Sequence, residues 1–177
     1  MPTMLDALQC GDPPLVRLAG PADEEGVVEM IRIMHDDGEW CALDAEGCSF
    51  PFSPTKARAI VQRATQGGRN APDAGRAWLG VIGETGQLKG SAYVALQEPS
   101  MSEGFYLAEL WSWICPELRN TAASDSLIEF AMGIADMKHM RLVMAAMTQK
   151  RMGKARFYDR RFGAPIGNVY NYYPNGA

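Results

Sequence analysis

The fold of this chain is decided by the segment Trp113-Ile-Cys-Pro-Glu-Leu-Arg-Asn-Thr-Ala-Ala-Ser124. An apolar run ends at Pro116, Arg119 follows, and the small residues 121–124 open an amphipathic helix. This order predicts a strand, a short turn and a helix whose first backbone N–H groups are not covered by bulky side chains. Because those N–H groups lack partners within the helix, and the helix dipole is positive at this end, the segment is typical of an anion-binding turn.

Composition and charge are those of an ordinary globular protein. The chain has 177 residues, 47% hydrophobic and 21% charged, which predicts one domain, 1–177, with residues 1–13 as an N-terminal extension. The net charge is −4, so nothing general favours nucleic acid or an anionic membrane surface as a partner. No apolar run approaches the ~20 residues that cross a bilayer, and the N-terminus lacks a signal-peptide pattern. A cytoplasmic location is the resulting expectation.

The cysteine and histidine spacing does not suggest a metal site or a disulfide framework. No Cys-x-x-Cys pair occurs, and no histidine spacing matches the cysteines. We therefore predict reduced thiols and no bound metal. The residues concerned are Cys10, Cys41, Cys48, Cys115, His35 and His139.

Hydrophobic periodicity predicts an alternation of strands and helices along the chain. The predicted strands are 15–19, 77–82, 88–96, 105–115, 142–147 and 168–173, and the predicted helices are 21–35, 54–64, 124–137 and 154–161. The order β-α-α-β-β-β-α-β-α-β predicts an α/β fold with a mixed sheet and helices on both faces. Strand 105–115 is apolar on both sides, which favours a central position in that sheet.

The segment 113–124 resembles the acyl-CoA pyrophosphate loop of the GCN5-related N-acetyltransferases (GNAT), Arg/Gln-x-x-Gly-x-Gly/Ala after a strand ending in Val-x-Pro. Pro116 and Arg119 match this pattern, while Ala122 and Ser124 stand at its two glycine positions. The order of elements is also similar to that of the family, over residues 14–173. The resemblance implies an N-acetyltransferase in which an amine attacks acetyl-CoA directly in a ternary complex.

The same resemblance implies a binding site for acetyl-CoA as cosubstrate. Backbone N–H groups at the start of the helix would bind the pyrophosphate, and the guanidinium of Arg119 suits phosphate. The backbone at the end of the strand would pair with the pantetheine arm where the central strands separate. An ordinary strand-to-helix connection remains the alternative. The implied binding residues are Trp113, Ile114, Arg119, Asn120, Thr121, Ala122, Ala123 and Ser124.

Tyr158 is the first candidate catalytic residue. Ala155-Arg-Phe-Tyr-Asp-Arg-Arg-Phe-Gly163 is similar to the family motif Ala-x-x-Leu-Tyr-x-x-x-Gly-Phe, although Gly163 follows Tyr158 by five residues instead of four. The resemblance implies that this Tyr protonates the departing CoA thiolate. A phenol is protonated at neutral pH and can do so. The alternative is a Tyr whose ring packs under the sheet.

Glu109 is the second candidate, because it interrupts an apolar strand. Period-two counting puts its side chain on the same face as Phe105, Leu107, Trp111 and Trp113. A buried carboxylate is costly unless it is paired or its raised pKa is useful. Several family members carry a Glu base near this position. A catalytic base and a structural Glu paired with Arg both remain open.

The candidate acceptor site is expected between the first two helices and the central strand. Acids beside an aromatic ring suit a cationic amine, but they equally suit a solvated helix end. The residues are His35, Asp36, Asp37, Glu39 and Trp40. The apolar tail 169–173 could extend a sheet across a homodimer. Two other functions stay open: a catalytically inactive GNAT-fold structural or interaction protein, for example phage-derived, and a CoA-binding regulator.

Overall fold

The computed structural model describes residues 16–36, 51–66, 75–100, 103–119, 121–144 and 152–163. Its elements are β1 (Arg17–Leu18), α1 (Glu24–Asp36), α2 (Pro54–Thr65), β2 (Ala77–Ile82), β3 (Gly90–Gln97), β4 (Tyr106–Ile114), α3 (Ala122–Lys138), β5 (Leu142–Val143) and α4 (Met152–Phe162). This order confirms the predicted α/β fold, and the predicted strand 168–173 lies outside the described residues. No helix within these ranges is long and apolar enough to span a membrane.

The chain divides into two compact units. The first comprises residues 1–31 and 53–145 and contains the whole described sheet, and the second comprises 32–52 and 146–177 and contains α4. The sheet order is β1-β2-β3-β4-β5. All neighbouring pairs are antiparallel except β4 and β5, which are parallel. The mixed sheet and the position of β4 between two strands are therefore as the sequence predicts.

Strand β4 contains a β-bulge at Leu110. Tyr93 pairs with Trp111, whereas Val94 pairs with Glu109, so Leu110 is an extra residue without a partner on β3. An extra residue in one strand shifts the alternation of its side chains relative to the neighbouring strand. Each face of the sheet therefore carries odd-numbered residues of β4 on one side of the bulge and even-numbered residues on the other.

The bulge overturns the predicted face of Glu109. Val94, which pairs with Glu109, packs in a cluster with Leu107 and residues of α3. Glu109 therefore lies on the face of the sheet that α3 covers. Trp111 and Trp113 pair beyond the bulge and lie on the opposite face. The expectation that Glu109 shares a face with both tryptophans was wrong because period-two counting assumes an unbroken ladder.

Helix α3 packs closely against the middle of the sheet. A Cβ added at Gly80 would lie 2.9 Å from the ring of Phe130, so a glycine is needed for this approach. Beneath the helix lie two clusters of buried side chains. They comprise Val16, Ile82, Ala92, Ala123 and Leu127 in one and Val94, Leu107, Ala131 and Ile134 in the other.

Two buried carboxylates fix the start of α1. Asp23, 2% exposed, receives hydrogen bonds from Arg17 Nη1 at 2.7 Å and Nη2 at 2.8 Å. The hydroxyl of Thr85 donates to the same carboxylate at 2.8 Å, and the Gly20 N–H at 2.9 Å. The guanidinium of Arg17, helped by these donors, holds the pKa of Asp23 well below its usual range. Strand β1, the start of α1 and the β2–β3 turn are thereby joined through one side chain.

Glu24 joins α1 to α2. Its carboxylate accepts hydrogen bonds from Thr65 Oγ1 at 2.6 Å, Gln66 Nε2 at 2.8 Å and Gln62 Nε2 at 3.2 Å. Burial acts to raise the pKa of Glu24, but the donors from α2 outweigh it and lower that pKa overall. The ionised carboxylate is therefore a stable part of the contact between the two helices.

Candidate functional site

A short 3₁₀ turn connects β4 to α3 and positions Arg119. The turn comprises Pro116–Leu118 and follows Cys115. The Leu118 N–H donates to the Cys115 carbonyl at 3.1 Å, and the Arg119 N–H donates to the Pro116 carbonyl at 3.2 Å. These two backbone bonds fix the path of the chain from the end of the strand to the start of the helix.

The side chain of Arg119 is held against the end of β4. Its Nε donates a hydrogen bond to the carbonyl oxygen of Ile114 at 3.2 Å. The guanidinium is half-buried, so the positive charge lies next to the strand end and does not extend into solvent. Sequence reasoning placed a phosphate-binding Arg here without identifying the strand residue that holds it.

Thr121 caps the N-terminus of α3. Its Oγ1 accepts a hydrogen bond from the Ala123 N–H at 3.3 Å and donates one to the Leu118 carbonyl at 2.7 Å. The Ser124 N–H donates to the Thr121 carbonyl at 3.0 Å. Two of the predicted anion-binding N–H groups are therefore bonded to Thr121 in this structure. Thr121 and Ala122 are exposed, and Asn120 lies outside the described residues.

An ion pair lies beside this turn. Lys89 Nζ is 3.5 Å from Glu117 Oε1, and the Cys115 N–H donates to the Lys89 carbonyl at 2.8 Å. The pKa of Glu117 is lowered by its own backbone N–H and then by the Cys115 thiol. Burial, followed by the neighbouring Glu117 carboxylate, raises the pKa of Cys115, which keeps this thiol protonated and unsuited to nucleophilic attack at neutral pH.

Among the described residues, the pairs between β4 and β5 lie near the start of β4. Leu107 pairs with Leu142 and Ala108 with Val143, while β4 continues to Ile114. The C-terminal half of β4 leads past the bulge to the turn and the start of α3.

Backbone hydrogen bonds show which edge each residue of this half of β4 faces. The Cys115 N–H bonds to the Lys89 carbonyl, so the backbone of Cys115 faces β3. In an antiparallel pair every second residue faces the same neighbouring strand, so the backbone of Trp113 also faces β3, opposite Ser91. The backbone groups of Ser112 and Ile114 point to the opposite edge, where β5 lies. Of the two residues predicted to pair with pantetheine, Ile114 faces this edge, whereas the backbone of Trp113 faces β3.

The face opposite α3 carries a stacked aromatic pair. The rings of Tyr93 and Trp111 are 4.6 Å apart between centroids, with planes inclined by 17°. Trp111 Nε1 donates to the hydroxyl of Ser91 at 3.0 Å, and this contact is buried. Trp113 Nε1 is also buried but has no hydrogen-bond partner among the described residues.

The candidate catalytic residues lie in different units. Glu109, 5% exposed, follows Ala108, which pairs with Val143 of β5. Tyr158 lies in α4, where Lys154 Nζ is 5.4 Å from the centre of its ring and the Phe162 ring is 6.0 Å away. Gly163 ends α4 with φ 84°, which accounts for a glycine at this spacing from Tyr158.

The candidate acceptor region is described only in part. His35 Nδ1 is 3.5 Å from Asp36 Oδ1, and Asp36 forms an ion pair with Arg32. The His35 ring is 5.6 Å from that of Phe52. The other predicted acceptor residues, Asp37, Glu39 and Trp40, lie outside the described residues. Within the described ranges, no three His, Cys, Asp or Glu side chains are grouped so that they could hold a metal ion.

Sequence reasoning did not single out Lys89 and Glu117. The pairing of Gly90 with Ile114 brings Lys89 to the level of Cys115. That register joins two segments that are distant in the sequence, so local pattern carried no signal for the contact.

Solved structures of the same architecture include two acetyltransferases. The ribosomal-protein-alanine N-acetyltransferase of Brucella melitensis biovar Abortus 2308 is 11% identical, with 89% of this chain and 95% of that chain covered and a TM-score of 0.60. An aminoglycoside acetyltransferase from an uncultured soil metagenomic sample is 14% identical, with 89% and 93% covered and a TM-score of 0.61. An integron cassette protein from the mobile metagenome of Cole Harbour Salt Marsh is 12% identical, with 93% and 92% covered and a TM-score of 0.64.

These likenesses confirm the predicted GNAT fold. The two acetyltransferases match this chain over most of its length. No protein-family model matches the sequence, and no curated protein matches it in sequence. At identities of 11% and 14% the likeness establishes the fold and leaves the activity to be argued from the site.

Proposed function

We propose that this chain is an acetyl-CoA-dependent N-acetyltransferase in which an amine attacks the thioester directly. The observation that carries the proposal is the end of β4, which leads through a short turn into Arg119 and the capped start of α3. An extended acyl-CoA arm can pair with the backbone of a strand, and its phosphates can reach a helix N-terminus. The end of β4 and the start of α3 follow each other here in the order that such a cosubstrate requires.

The pantetheine arm would pair with the backbone of Ser112 and Ile114, which face the β5 edge. Its pyrophosphate would bind at Thr121 to Ser124, with Arg119 as the charged donor. The 3.3 Å bond from the Ala123 N–H to Thr121 Oγ1 is at the long end of the hydrogen-bond range, so a phosphate oxygen can replace it at little cost. Ala122 keeps the helical backbone and adds only a methyl group at the surface.

The reaction forms a C–N bond and breaks a C–S bond. The neutral amine attacks the acetyl carbonyl carbon, CoA leaves as a thiolate, and two protons must be moved. We assign Glu109 as the base for the ammonium, because it is a buried carboxylate in β4, next to the residue that pairs with Val143. Tyr158 is assigned as the acid that protonates the thiolate, which rests on its motif and on the properties of a phenol.

The acceptor is proposed to be a small-molecule or peptide amine. The aminoglycoside acetyltransferase of the same fold is consistent with the first of these classes. The cytoplasm is the proposed compartment, and the buried free thiol of Cys115 is in keeping with a reducing environment. A homodimer through residues 169–173 stays a prediction, because that segment lies outside the described residues.

Acetyl-CoA binding measured by calorimetry tests the proposal. We expect micromolar affinity in the native chain and no measurable binding for Ala122→Glu, because a carboxylate at the helix N-terminus would repel the pyrophosphate. Ala59→Glu makes the same substitution at an exposed position of α2 and should bind normally. A native chain that does not bind millimolar acetyl-CoA would favour an inactive protein with this fold. Normal binding by a folded Ala122→Glu variant would place the cosubstrate elsewhere.

A further inference from the structure

We infer that Lys89 is an additional ligand for a phosphate of the CoA nucleotide, and that Glu117 holds Lys89 when the nucleotide is absent. The inference rests on the proposed function and assigns two residues that the loop motif does not contain. Lys89 precedes β3 and Glu117 lies in the 3₁₀ turn, so the pair connects two different strands at the same end of the sheet.

The backbone fixes the position of both residues beside the loop. The Lys89 carbonyl accepts the Cys115 N–H at 2.8 Å, which ties Lys89 to the residue that begins the turn. Glu117 lies between Cys115 and Arg119 in a turn closed by its own backbone bonds. Lys89 Nζ and Glu117 Oε1 then meet at 3.5 Å. A second positive charge is thus kept close to the turn that holds Arg119.

The ion pair can be exchanged for a phosphate at little cost. The Lys89 side chain is 49% exposed and that of Glu117 is 60% exposed. Exposed pairs of this kind contribute little, because water screens the charges and both side chains lose conformational freedom. A phosphate carries more charge and more acceptor oxygens than a carboxylate. The flexible Lys side chain can turn from one to the other without movement of the backbone.

Glu117 keeps other partners after Lys89 leaves. Its carboxylate is stabilised by its own backbone N–H and by the Cys115 thiol, both of which lower its pKa more than Lys89 does. The carboxylate therefore remains ionised next to Arg119, where its charge opposes the binding of an anion. Two effects of opposite sign follow: removing the Lys89 charge should weaken nucleotide binding, and removing the Glu117 charge should strengthen it. A surface ion pair without a ligand role would produce neither effect.

The test is calorimetric titration with CoA and with dephospho-CoA, which lacks the 3′-phosphate. Lys89→Met should weaken CoA binding by about three- to tenfold, and Glu117→Gln should tighten it by about two- to fivefold at low salt. Lys56→Met removes an exposed charge from α2 as the matched control and should change affinity by less than about twofold. Lys89→Arg keeps the charge and should restore most of the affinity, which separates a ligand role from a loss of packing.

The two nucleotides identify the phosphate that Lys89 contacts. A loss confined to CoA assigns Lys89 to the 3′-phosphate, whereas an equal loss with dephospho-CoA assigns it to the pyrophosphate. The inference is overturned if Lys89→Met behaves like Lys56→Met, or if Glu117→Gln binds CoA no more tightly than the native chain. Failure of the native chain to bind either nucleotide would instead overturn the proposed function, so the two failures are distinguishable.

Discussion

Arg119 Nε donates to the carbonyl oxygen of Ile114 at 3.2 Å, so the cation of the loop is anchored to the last residue of β4. This bond has two consequences. It fixes the charge beside the helix N-terminus, and it occupies a backbone acceptor at the strand edge. The planar guanidinium of Arg can form such an anchor through Nε and still direct its Nη donors at a phosphate.

Replacing Arg119 with Lys should therefore weaken acetyl-CoA binding although the charge is kept. Lys has a single ammonium group, which cannot both bond to Ile114 and present a planar pair of donors to phosphate. We expect the Kd to rise by about tenfold, which corresponds to about 1.4 kcal/mol. Calorimetry at constant ionic strength measures this change in Kd. Arg63→Lys, an exposed position in α2, is the control, and equal Kd values for both variants would contradict the anchoring role.

The hydrogen bond from Trp111 to Ser91 should contribute measurably to stability. Ser91→Ala leaves the buried Trp111 Nε1 without its acceptor, which costs about 1–3 kcal/mol. We expect a lower urea midpoint with an unchanged slope, measured by the loss of tryptophan fluorescence or of circular dichroism. No change in the midpoint would mean that another acceptor replaces Ser91.

A double-mutant cycle isolates this bond from packing. In a Trp111→Phe background the indole N–H is absent, so Ser91→Ala should cost about 1 kcal/mol less than in the native chain. Trp78→Phe is the matched control, because Trp78 packs against the cluster on the face that α3 covers, away from Ser91, and should leave the cost of Ser91→Ala unchanged. Additive effects of Trp111→Phe and Ser91→Ala would argue against the bond.

The order and type of the elements could be read from the sequence because each depends on local periodicity. Strand 77–82 was predicted at its observed bounds, since a short apolar run and a following turn define it. Helix α3 begins at Ala122, before the predicted start at Ser124, because Thr121 caps it through Ala123. Cap signals identify the right region and leave the first residue uncertain by one turn or less.

The bulge at Leu110 could not be read from the sequence. Every residue around it suits a strand, and only the pairing with β3 reveals that Leu110 is extra. The faces of Glu109, Trp111 and Trp113 depend on that pairing. The contact between Lys89 and Glu117 likewise depends on register, which is set by two distant segments together. Local pattern thus predicted the loop, whereas the side-chain surroundings of the site required the assembled sheet.

If Glu109 is the base, Glu109→Gln should act on the chemical step. The amide cannot take a proton, so kcat should fall by about 10²–10⁴-fold while the affinity for acetyl-CoA stays constant. The pH dependence of kcat/KM should lose its acidic limb. Steady-state kinetics across pH, with the Kd from calorimetry, measure both. An unchanged pH profile with reduced stability would instead identify Glu109 as a structural carboxylate.

Tyr158→Phe separates an acid from a packing residue. The ring and its contacts with Lys154 and Phe162 are retained, and only the hydroxyl is lost. If Tyr158 protonates the thiolate, kcat should fall by about 10²-fold with little change in acetyl-CoA affinity. Phe162→Leu removes the neighbouring ring without affecting the phenol and serves as the control. Equal losses of kcat and affinity in Tyr158→Phe would show that the phenol shapes the pocket.

Asp23 should make the stability of the protein depend on acid pH. Because Arg17 lowers the pKa of Asp23 in the folded state below the unfolded value of about 3.9, the carboxylate contributes fully above about pH 5. That contribution decreases as the pH falls toward the folded-state pKa. At pH 7, Asp23→Asn should reduce the free energy of unfolding by about 2 kcal/mol, allowing for the partial exposure of Arg17.

The difference in the free energy of unfolding between the native chain and Asp23→Asn should shrink as the pH is lowered from 5 to 3. Protonation of Asp23 removes from the native chain the carboxylate charge that the variant already lacks. Glu24 loses its own contribution in both proteins, so the difference reports Asp23 alone. Urea unfolding at several pH values measures it, with Asp136→Asn as an exposed control that should match the native chain. A difference that stays constant across this range would mean that the Arg17–Asp23 contact acts through geometry and not through charge.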